Sequence, residues 1–476
     1  MALKDWFIRL SLLGHWITSL GIPPPPDQVQ RTVLFGNINA FAYYFAELLV
    51  GSPQQPVSVI VDTGSALCGF PCEDCGHCGQ HLNPPFDMKK STTSKVLPCG
   101  IGCDRCIDGK CGYLESYTEG SSISGLWFRD LVMLNGSDQD NQPVFASLGC
   151  HTDERKLFYT QKVNGILGLA PHRITGKSNV LKDLYQDKAH VNHEIFAFCL
   201  AEWGGLLTVG GYDPSFVVPG HRLQWLPMHA AGYFGVTLQK LSCGLQVVGT
   251  QLDFGTTVLD SGTTFTYLPE QVYNALLTAL KTQCANIQCN ARAVQDNCWE
   301  IVSGADPTRF PNVTLELANG PNGVVAIQWL AHAYMFRRKA NIWCYAFANN
   351  GMSKETVLGI SFFLHQTVVF DTSQSKLGIA ESKCPESHYQ TRSGRPAQAV
   401  REGAVQDGNF KPSDVLEGDD LVPAKPPQRM RWVALALGIV GLVLLVVACS
   451  MCLWAYFMDD SDEELGLKSP FTDNEQ

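Results

Sequence analysis

The sequence Asp-Thr-Gly-Ser at residues 62–65 returns in a closely similar form, Asp-Ser-Gly-Thr, at residues 260–263. Each copy follows an apolar lead-in, and each is followed further along the chain by an apolar-apolar-Gly element, at 166–168 and at 357–359. A single Asp-Thr-Gly carries little weight, because Asp and Gly are common turn residues. Two copies with matched downstream elements instead indicate an internal duplication, in which each half supplies one aspartate to a shared site.

The residue types of the repeat suit a pair of acids. Two carboxyl groups held close together cannot both ionise cheaply, so such a pair shares a proton. We therefore predict that Asp62 and Asp260 form a catalytic dyad. Its ionised member would take a proton from water, and its neutral member would donate one to a peptide carbonyl. This chemistry calls for no metal, no cofactor and no covalent intermediate.

The remaining residues of each copy have predicted supporting roles. The glycine allows the tight loop that brings the two carboxyl groups together. The hydroxyl residue before the glycine is expected to bond across to the other half, and the one after it to bond the outer oxygen of its own aspartate. These supporting residues are Thr63, Gly64, Ser65, Ser261, Gly262 and Thr263.

The length and composition of the chain allow a large core. It has 476 residues, of which 45% are apolar and 17% are charged, so more than one lobe is expected. The formal net charge is −10, and residues 459–476 contribute strongly to it with seven acidic residues and one lysine. The chain shows no basic patch, which argues against a nucleic-acid partner.

Cysteine usage predicts an oxidising compartment. The chain has 18 cysteines, of which Cys449 and Cys452 lie in an apolar run near the end, and the other 16 are expected to form disulfides in a lumen. Eight of them fall within residues 68–111, which predicts a disulfide-stapled insert. The Cys-x2-Cys spacings there leave zinc ligation as an alternative. Sequons at Asn135 and Asn312 agree with a secretory route and are predicted glycosylation sites.

Composition shifts along the chain predict its organisation. A weakly apolar start reads as a signal peptide, a polar stretch rich in Pro and Gly as a disordered tether, and 26 uncharged residues from Trp432 to Phe457 as a membrane span. The predicted order is a signal peptide at 1–22, an amino-terminal lobe at 35–218, a carboxy-terminal lobe at 219–384, a tether at 385–430, a transmembrane helix at 431–457 and an acidic cytosolic tail at 458–476. The short stretch before Phe35 predicts an enzyme that needs no zymogen cleavage.

The pattern of apolar residues predicts a mostly β, two-lobed protein. Residues 43–50 and 57–61 read as strands of a hairpin that delivers Asp62 to the site. Helical patterns are few and cover residues 177–189 and 269–282, where Pro269 suits a first helical turn.

Residues 114–125 read as a second hairpin, which is predicted to close over the site as a flap. Tyr117 would lie at its tip with its hydroxyl toward the dyad, and the alternative is an ordinary cross-strand aromatic. Glu119 would receive a basic substrate side chain, and the alternative is a solvated loop acid. Gly120 follows in the same turn.

The duplicated signature is similar to that of the pepsin-like aspartic proteases, and several further motifs resemble the plasmepsin V-like group of apicomplexan parasites. The resemblance covers about residues 36–384 and the anchor. The motifs are Phe-Pro-Cys-x2-Cys-x2-Cys-Gly-x-His at 70–81, Leu-x-Ser-Tyr-x-Glu-Gly-Ser at 114–121, Gly-Cys-His-x2-Glu at 149–154, Val-x-Gly-Ile-Leu-Gly-Leu at 163–169, Gly-Gly-Tyr-Asp at 210–213 and Asp-Ser-Gly-Thr-Thr-Phe-Thr at 260–266.

This resemblance implies a bilobal pepsin-like fold with a nepenthesin-type disulfide insert. It implies a membrane-anchored endopeptidase of the endoplasmic reticulum or Golgi, with a monomeric catalytic domain that cuts protein or peptide substrates at short motifs containing arginine and leucine. The implied site residues are the dyad Asp62 and Asp260, the flap residue Tyr117, and the substrate-binding residues Glu119 and Gly120. The implied disulfides are Cys199–Cys384 and Cys298–Cys344.

The chain departs from the group at two places. Thr118 stands where the flap of the group has a cysteine, and Leu82-Asn83 stand where an acid is usual. The second departure removes one candidate contact to a substrate arginine. Two other functions stay open: a catalytically silent pepsin-like binding protein, and a secretase-like sheddase of different specificity.

Overall fold

The computed structural model of the chain describes residues 28–100, 103–136, 141–171, 179–230, 232–294, 297–301, 307–321, 323–339 and 341–389. The predicted signal peptide, transmembrane helix and acidic tail lie outside the described residues, as does the predicted tether from residue 390 onward. Within the described ranges, no helix combines the length and the apolar character that a bilayer crossing requires.

Strands dominate the described residues, as predicted. The first half contains β1 (Gln30–Asn37), β2 (Tyr43–Val50), β3 (Gln55–Asp62), β4 (Cys68–Pro71), β5 (Lys95–Val96), β6 (Arg105–Ile107), β7 (Lys110–Ser116), β8 (Ser122–Leu134), β9 (Val144–Arg155), β10 (Gly165–Gly168), β11 (Ile195–Leu200) and β12 (Gly205–Val209). The second half contains β13 (Gln224–Pro227), β14 (His229–Ala230), β15 (Phe234–Val236), β16 (Leu238–Cys243), β17 (Gln246–Thr250), β18 (Thr257–Leu259), β19 (Thr266–Leu268), β20 (Ala291–Val294), β21 (Cys298–Ile301), β22 (Val313–Ala318), β23 (Val324–Trp329), β24 (Met335–Lys339), β25 (Ile342–Tyr345), β26 (Phe347–Asn349), β27 (Thr356–Leu358), β28 (Gln366–Asp371) and β29 (Lys376–Glu381).

Helices are short, with one exception. They are α1 (Leu157–Thr160), α2 (Val180–Gln186), α3 (Gln251–Phe254), α4 (Glu270–Ile287), α5 (Ala331–Tyr334) and α6 (Ile360–Phe363), with 3-10 turns at Pro214–Phe216 and Pro307–Arg309. Pro269 is the N-cap of α4 rather than part of its first turn, and α4 runs past the predicted end at residue 282. The other predicted helix, 177–189, is shorter in the structure: α2 starts after Asn179, whose side chain accepts a hydrogen bond from Lys182 N at 2.9 Å.

The predicted first hairpin is present. Strands β2 and β3 pair antiparallel with Phe45 opposite Ile60, and the alternate valines of β3 are buried. Gly51 turns the chain between them with φ +82°, a conformation that favours glycine. Strand β3 therefore runs straight to Asp62 at its end.

Strand pairing repeats in the two halves. In the first, β3 lies parallel to β10, β10 antiparallel to β4, and β4 parallel to β9. In the second, β18 lies parallel to β27, β27 antiparallel to β19, and β19 parallel to β26. The predicted internal duplication therefore extends from the motifs to the topology around each aspartate.

The two halves also share one sheet and one core. Strand β11 of the first half pairs with β28 of the second, and β1 pairs with β12. The first strand begins at Gln30, before the predicted lobe start at residue 35, because Thr32 and Leu34 point into the core while residues 30–34 pair with 205–209.

The first residues of the predicted tether pack on the folded domain instead. The Tyr389 ring lies 5.2 Å from the ring of Phe35 and 5.3 Å from that of Phe45. Its hydroxyl donates to Glu47 Oε1 at 3.3 Å. Ser387 N also donates to Trp203 O at 2.9 Å, and the His388 ring lies 5.1 Å from that of Trp203. Residues 385–389 therefore do not belong to a disordered tether, because several contacts hold them on the folded domain.

Most of the predicted disulfides form, but not all. Within the described residues, seven pairs are Cys72–Cys150, Cys75–Cys78, Cys99–Cys106, Cys103–Cys111, Cys199–Cys384, Cys284–Cys289 and Cys298–Cys344. The two pairs implied by the resemblance are among them, and the zinc alternative is wrong because the insert cysteines other than Cys68 are bonded to other cysteines. The prediction that all 16 pair is also wrong: Cys68 and Cys243 are buried free thiols, and burial raises the pKa of each.

Candidate active site

The two aspartates occupy equivalent places in the repeated topology. Asp62 ends β3, beside Gly168 of β10, and its carbonyl accepts from Leu169 N at 2.7 Å. Asp260 follows β18, and its backbone N donates to Leu358 O at 3.0 Å. The two apolar-apolar-Gly elements therefore hold the main chain of the aspartates, which gives them a structural reason to recur.

The Asp62 carboxylate is held by its own loop. Gly64 N donates to Asp62 Oδ1 at 2.7 Å, and Ser65 Oγ donates to Asp62 Oδ2 at 2.5 Å. Only 5% of the residue is exposed. Hydrogen bonds thus fix both carboxylate oxygens of Asp62, and Oδ1 lies next to Gly262 of the second half.

The Asp260 carboxylate has the same arrangement. Gly262 N donates to Asp260 Oδ1 at 2.9 Å, and Thr263 Oγ1 donates to Asp260 Oδ2 at 2.6 Å. The predicted bonds from the hydroxyl residues to the outer oxygens are present in both copies. Each loop therefore presents its carboxyl group in the same orientation from the opposite side.

The two loops are also bonded to each other. Thr63 N donates to Ser261 Oγ at 3.0 Å, and Ser261 N donates to Thr63 Oγ1 at 2.9 Å. The same hydroxyls donate onward, Thr63 to Leu259 O at 3.0 Å and Ser261 to Val61 O at 2.8 Å. All four residues are buried or nearly so. The predicted bonding across the halves is confirmed, and it fixes the distance between the aspartates.

The glycines bring the carboxyl groups face to face. A Cβ built on Gly64 would lie 2.6 Å from Asp260 Oδ1, and one on Gly262 would collide with Asp62 Oδ1. The carboxyl groups are close enough to hydrogen-bond to each other. Burial, and then the neighbouring Asp260 charge, raise the pKa of Asp62 well above its ordinary value. The pair can therefore hold one proton where an isolated aspartate would hold none.

The predicted flap is a hairpin of β7 and β8, with Ser116 opposite Ser122 and residues 117–121 in the turn. The Tyr117 ring packs on that of Phe158 at 4.9 Å. Its hydroxyl is buried beside Ser65 and Asp62, and burial followed by the Asp62 charge raises its pKa well above the ordinary value. The Tyr117 hydroxyl thus lies on the side of the flap that faces Asp62, without a hydrogen-bond partner among the described residues.

Glu119 and Gly120 lie further out in the same turn. Both are exposed. Gly120 has φ +88°, and the Lys156 ammonium group lies against it so closely that a Cβ would collide. The structure therefore brings Tyr117 to the dyad and leaves Glu119 on the solvent side of the flap turn.

The two predicted glycosylation sites differ in their surroundings. Asn312 is exposed. Asn135 is half-buried, and its Nδ2 donates to Glu47 Oε2 at 3.1 Å. The nitrogen that a glycan would occupy is therefore engaged at Asn135.

Sequence reasoning missed two features of the site. Thr264 Oγ1 donates across the halves to Ala42 O at 2.5 Å, although its place directly after the second motif was a usable signal. Glu154 is fully buried behind the flap with two histidines, and the motif Gly-Cys-His-x2-Glu at 149–154 is the sequence signal for it. Among the described residues, no group of three His, Cys, Asp or Glu side chains is arranged to hold a metal ion.

Comparisons with known proteins agree with this geometry. The family model for eukaryotic aspartyl proteases matches residues 43–382. Aspartic protease 5 of Toxoplasma gondii is 30% identical, over 91% of this chain and 47% of the relative. Plasmepsin V of Plasmodium falciparum is 26% identical, over 75% and 74%, and pepsin A of Gallus gallus is 27% identical, over 71% and 84%. The chain thus spans about half the length of the Toxoplasma relative.

Proposed function

The chain belongs to the eukaryotic aspartyl proteases, and on this premise we propose that it is an endopeptidase whose catalytic dyad is Asp62 and Asp260. The observation that carries the proposal is the mirrored pair of carboxyl groups. Each is fixed by a glycine N–H and a hydroxyl of its own loop, and each faces the other. Such a pair can hold one proton and act as acid and base together.

The first step is attack of water on the scissile carbonyl. We assign the shared proton to Asp62, because burial and the Asp260 charge raise its pKa, and we assign the role of base to Asp260. Asp260 takes a proton from the water while the oxygen of that water bonds the carbonyl carbon. Asp62 gives its proton to the carbonyl oxygen as the carbon–oxygen π-bond breaks. The product is an uncharged tetrahedral diol, so no unsolvated charge builds up on the substrate.

The second step breaks the peptide bond and restores the dyad. Asp260, now protonated, gives its proton to the leaving nitrogen, and Asp62 takes a proton from a hydroxyl of the diol. The carbon–nitrogen bond breaks and the carbonyl re-forms, which leaves a carboxylic acid and an amine. Asp62 again holds the proton, and the cycle can repeat.

Tyr117 closes the site over the substrate. Its hydroxyl is buried beside Ser65, which itself donates to the outer oxygen of Asp62. We assign Tyr117 the role of excluding water and holding the flap against the bound peptide. Ser65, Thr263, Thr63, Ser261 and the two glycines of the motifs keep the carboxyl groups in place.

We further propose a membrane-anchored enzyme of the endoplasmic reticulum or Golgi that cuts at short motifs with arginine and leucine. The support is the disulfide content, the uncharged run from Trp432 to Phe457 and the likeness to plasmepsin V. Glu119, exposed in the flap turn beside Gly120, is the residue we assign to the substrate arginine. Asn312 is the glycosylation site that the exposure favours.

The test is cleavage of matched peptides by the purified full-length protein. Peptides with Arg-x-Leu and with Ala-x-Leu are compared for the wild type, Asp62→Asn, Glu119→Gln and Glu270→Gln, the last an exposed acid outside the site. We expect cleavage that requires Asp62, prefers arginine, and loses that preference only in Glu119→Gln. Cleavage that requires Asp62 but shows no arginine preference would contradict the proposed specificity and support the proposed protease activity. A folded wild type that cleaves no peptide from acid to neutral pH would contradict the proposed protease activity.

A further inference from the structure

Two motifs that the proposed mechanism does not use meet behind the flap. Glu154 Oε1 lies 2.9 Å from His151 Nδ1, and Glu154 Oε2 lies 3.0 Å from His81 Nε2 and 3.2 Å from Gly79 N. The side chains of His81, His151 and Glu154 are 2%, 0% and 0% exposed. We call these three side chains the buried His-Glu-His cluster.

Hydrogen bonds satisfy both oxygens of Glu154, whereas His151 Nε2 is buried without a hydrogen-bond partner among the described residues. A buried carboxylate is costly unless several donors satisfy it, and Glu154 has three. His81 Nδ1 lies 3.1 Å from Gln161 O, so both nitrogens of this ring lie within hydrogen-bond distance of an oxygen atom. Burial raises the pKa of Glu154, but the bonds from His151 and His81 outweigh it and leave the pKa below the ordinary value. The carboxylate of Glu154 is therefore buried with three hydrogen-bonding groups around it.

The cluster fixes both ends of the segment 154–161, because Glu154 belongs to the cluster and Gln161 O lies beside His81 Nδ1. The segment in turn contacts the flap. Within it, Leu157 N donates to Ser121 Oγ in the flap turn at 3.3 Å. The Phe158 ring packs on Tyr117 at 4.9 Å, and its other neighbour is His151, with ring centroids 6.3 Å apart. A shift of the segment would thus move the flap turn and the tyrosine together.

The strands carry the same connection. Glu154 is paired with Ile123 of β8, the second strand of the flap, and its backbone N donates to His77 O in the insert at 2.8 Å. The cluster therefore joins the disulfide insert, strand β8 of the flap and α1 at one point.

We propose that Glu154 is a positioning residue for the flap, acting through His81 and His151 on α1 and through α1 on Tyr117. The role rests on the proposed function, because the position of a flap matters only where a peptide is bound under it. Glu154 touches no substrate atom in this account. Its effect is on how often the flap occupies the position that binds substrate.

The test compares Glu154→Gln with Asp153→Asn, a matched loss of one carboxylate at the half-buried neighbour, whose side chain accepts from Arg155 Nε outside the cluster. The Gln amide would set an NH2 group against a ring N–H donor, so one bond of the cluster is lost while the shape is kept. We expect the amides of residues 114–125 to exchange with deuterium about tenfold faster in Glu154→Gln. We also expect KM to rise about tenfold with a smaller change in kcat, and Asp153→Asn to match the wild type in both.

Each outcome decides the proposal. A folded Glu154→Gln with wild-type flap exchange and wild-type KM would overturn it, since a purely structural residue lowers stability without moving either. If Glu154→Gln does not fold, Phe158→Leu replaces it, because this change removes the aromatic link and leaves the charges in place. Unchanged flap exchange in Phe158→Leu would then overturn the proposal. If the wild type cleaves nothing, the proposed function fails, and the exchange measurement still tests the positioning.

Discussion

At the scale of single residues, the glycines of the site are as constrained as the acids. A Cβ on Gly64 would lie 2.6 Å from Asp260 Oδ1, inside van der Waals contact. We expect Gly64→Ala to lower kcat by about a hundredfold or more, because the opposite carboxyl group must move. The control is Gly76→Ala, where a Cβ meets nothing within 4 Å. Peptide cleavage that survives in Gly64→Ala as well as in Gly76→Ala would mean that the carboxyl groups are not held this closely.

The raised pKa of Asp62 predicts how stability depends on pH. A carboxyl group with a higher pKa in the folded state than in the unfolded state stabilises the fold below the unfolded value, and this contribution is lost as pH rises through the folded value. The wild type should therefore lose free energy of unfolding between acid and neutral pH, and Asp62→Asn should lose less. Urea unfolding of both proteins at a series of pH values measures the difference. Parallel pH dependences for the two proteins would contradict the raised pKa.

The two sequons should differ in glycan occupancy. A glycan on Asn312 would point into solvent, whereas one on Asn135 would displace the bond from Nδ2 to Glu47 Oε2. We expect peptide mass mapping of protein from a glycosylating host to find a glycan at Asn312 and an unmodified Asn135. A fully occupied Asn135 in the folded protein would show that the Glu47 bond is dispensable.

The roles of the residues in the two motifs could be predicted from the sequence, because the chemistry leaves few choices. Asp, Gly and a hydroxyl residue each have one use in a loop that presents a carboxyl group, so Thr63, Ser65 and their counterparts were predictable. Cysteine pairing was not, since an even count says nothing about which thiols meet. Cys68 and Cys243 lie in different strands and each is buried on its own. The burial of Glu154 could not be predicted either, because the donors that satisfy its carboxylate are far apart in the chain.

At the scale of elements, the segment 385–389 has a testable structural role. The Tyr389 ring packs between Phe35 and Phe45, and its hydroxyl donates to Glu47. We expect Tyr389→Ala to lower the free energy of unfolding by roughly 1–2 kcal/mol. Tyr389→Phe should cost less, because it keeps the ring contacts and loses only the hydroxyl bond. Equal stability of all three proteins in urea unfolding would show that the segment does not contribute.

Local patterns predicted the elements with a strong period and missed those that depend on distant partners. The hairpin of β2 and β3 follows from alternating apolar residues and a glycine turn, and the structure has it. Strand β1 starts earlier than predicted because residues 30–34 pair with 205–209, a contact that no local pattern reveals. The predicted helix end at residue 282 is too early. Helix α4 continues to Ile287, and the Cys284–Cys289 disulfide joins its last turn to the residues that follow the helix.

At the scale of the whole molecule, the two halves act as one unit. They share strands in one sheet, and their two aspartate loops exchange four hydrogen bonds through Thr63 and Ser261. Neither half holds a complete site. We therefore expect Asp62 and Asp260 to behave as one group that carries one proton, rather than as two independent acids.

The measurement that tests this claim most directly is kcat/KM for Asp62→Asn, Asp260→Asn and the double variant on a single cleaved peptide. If the aspartates work as one unit, each single change should lower kcat/KM by roughly a thousandfold or more, and the double change should add almost nothing to either. Circular dichroism of each variant confirms that the fold is intact. Losses that multiply in the double variant, or a single variant that keeps most of its activity, would contradict a shared dyad.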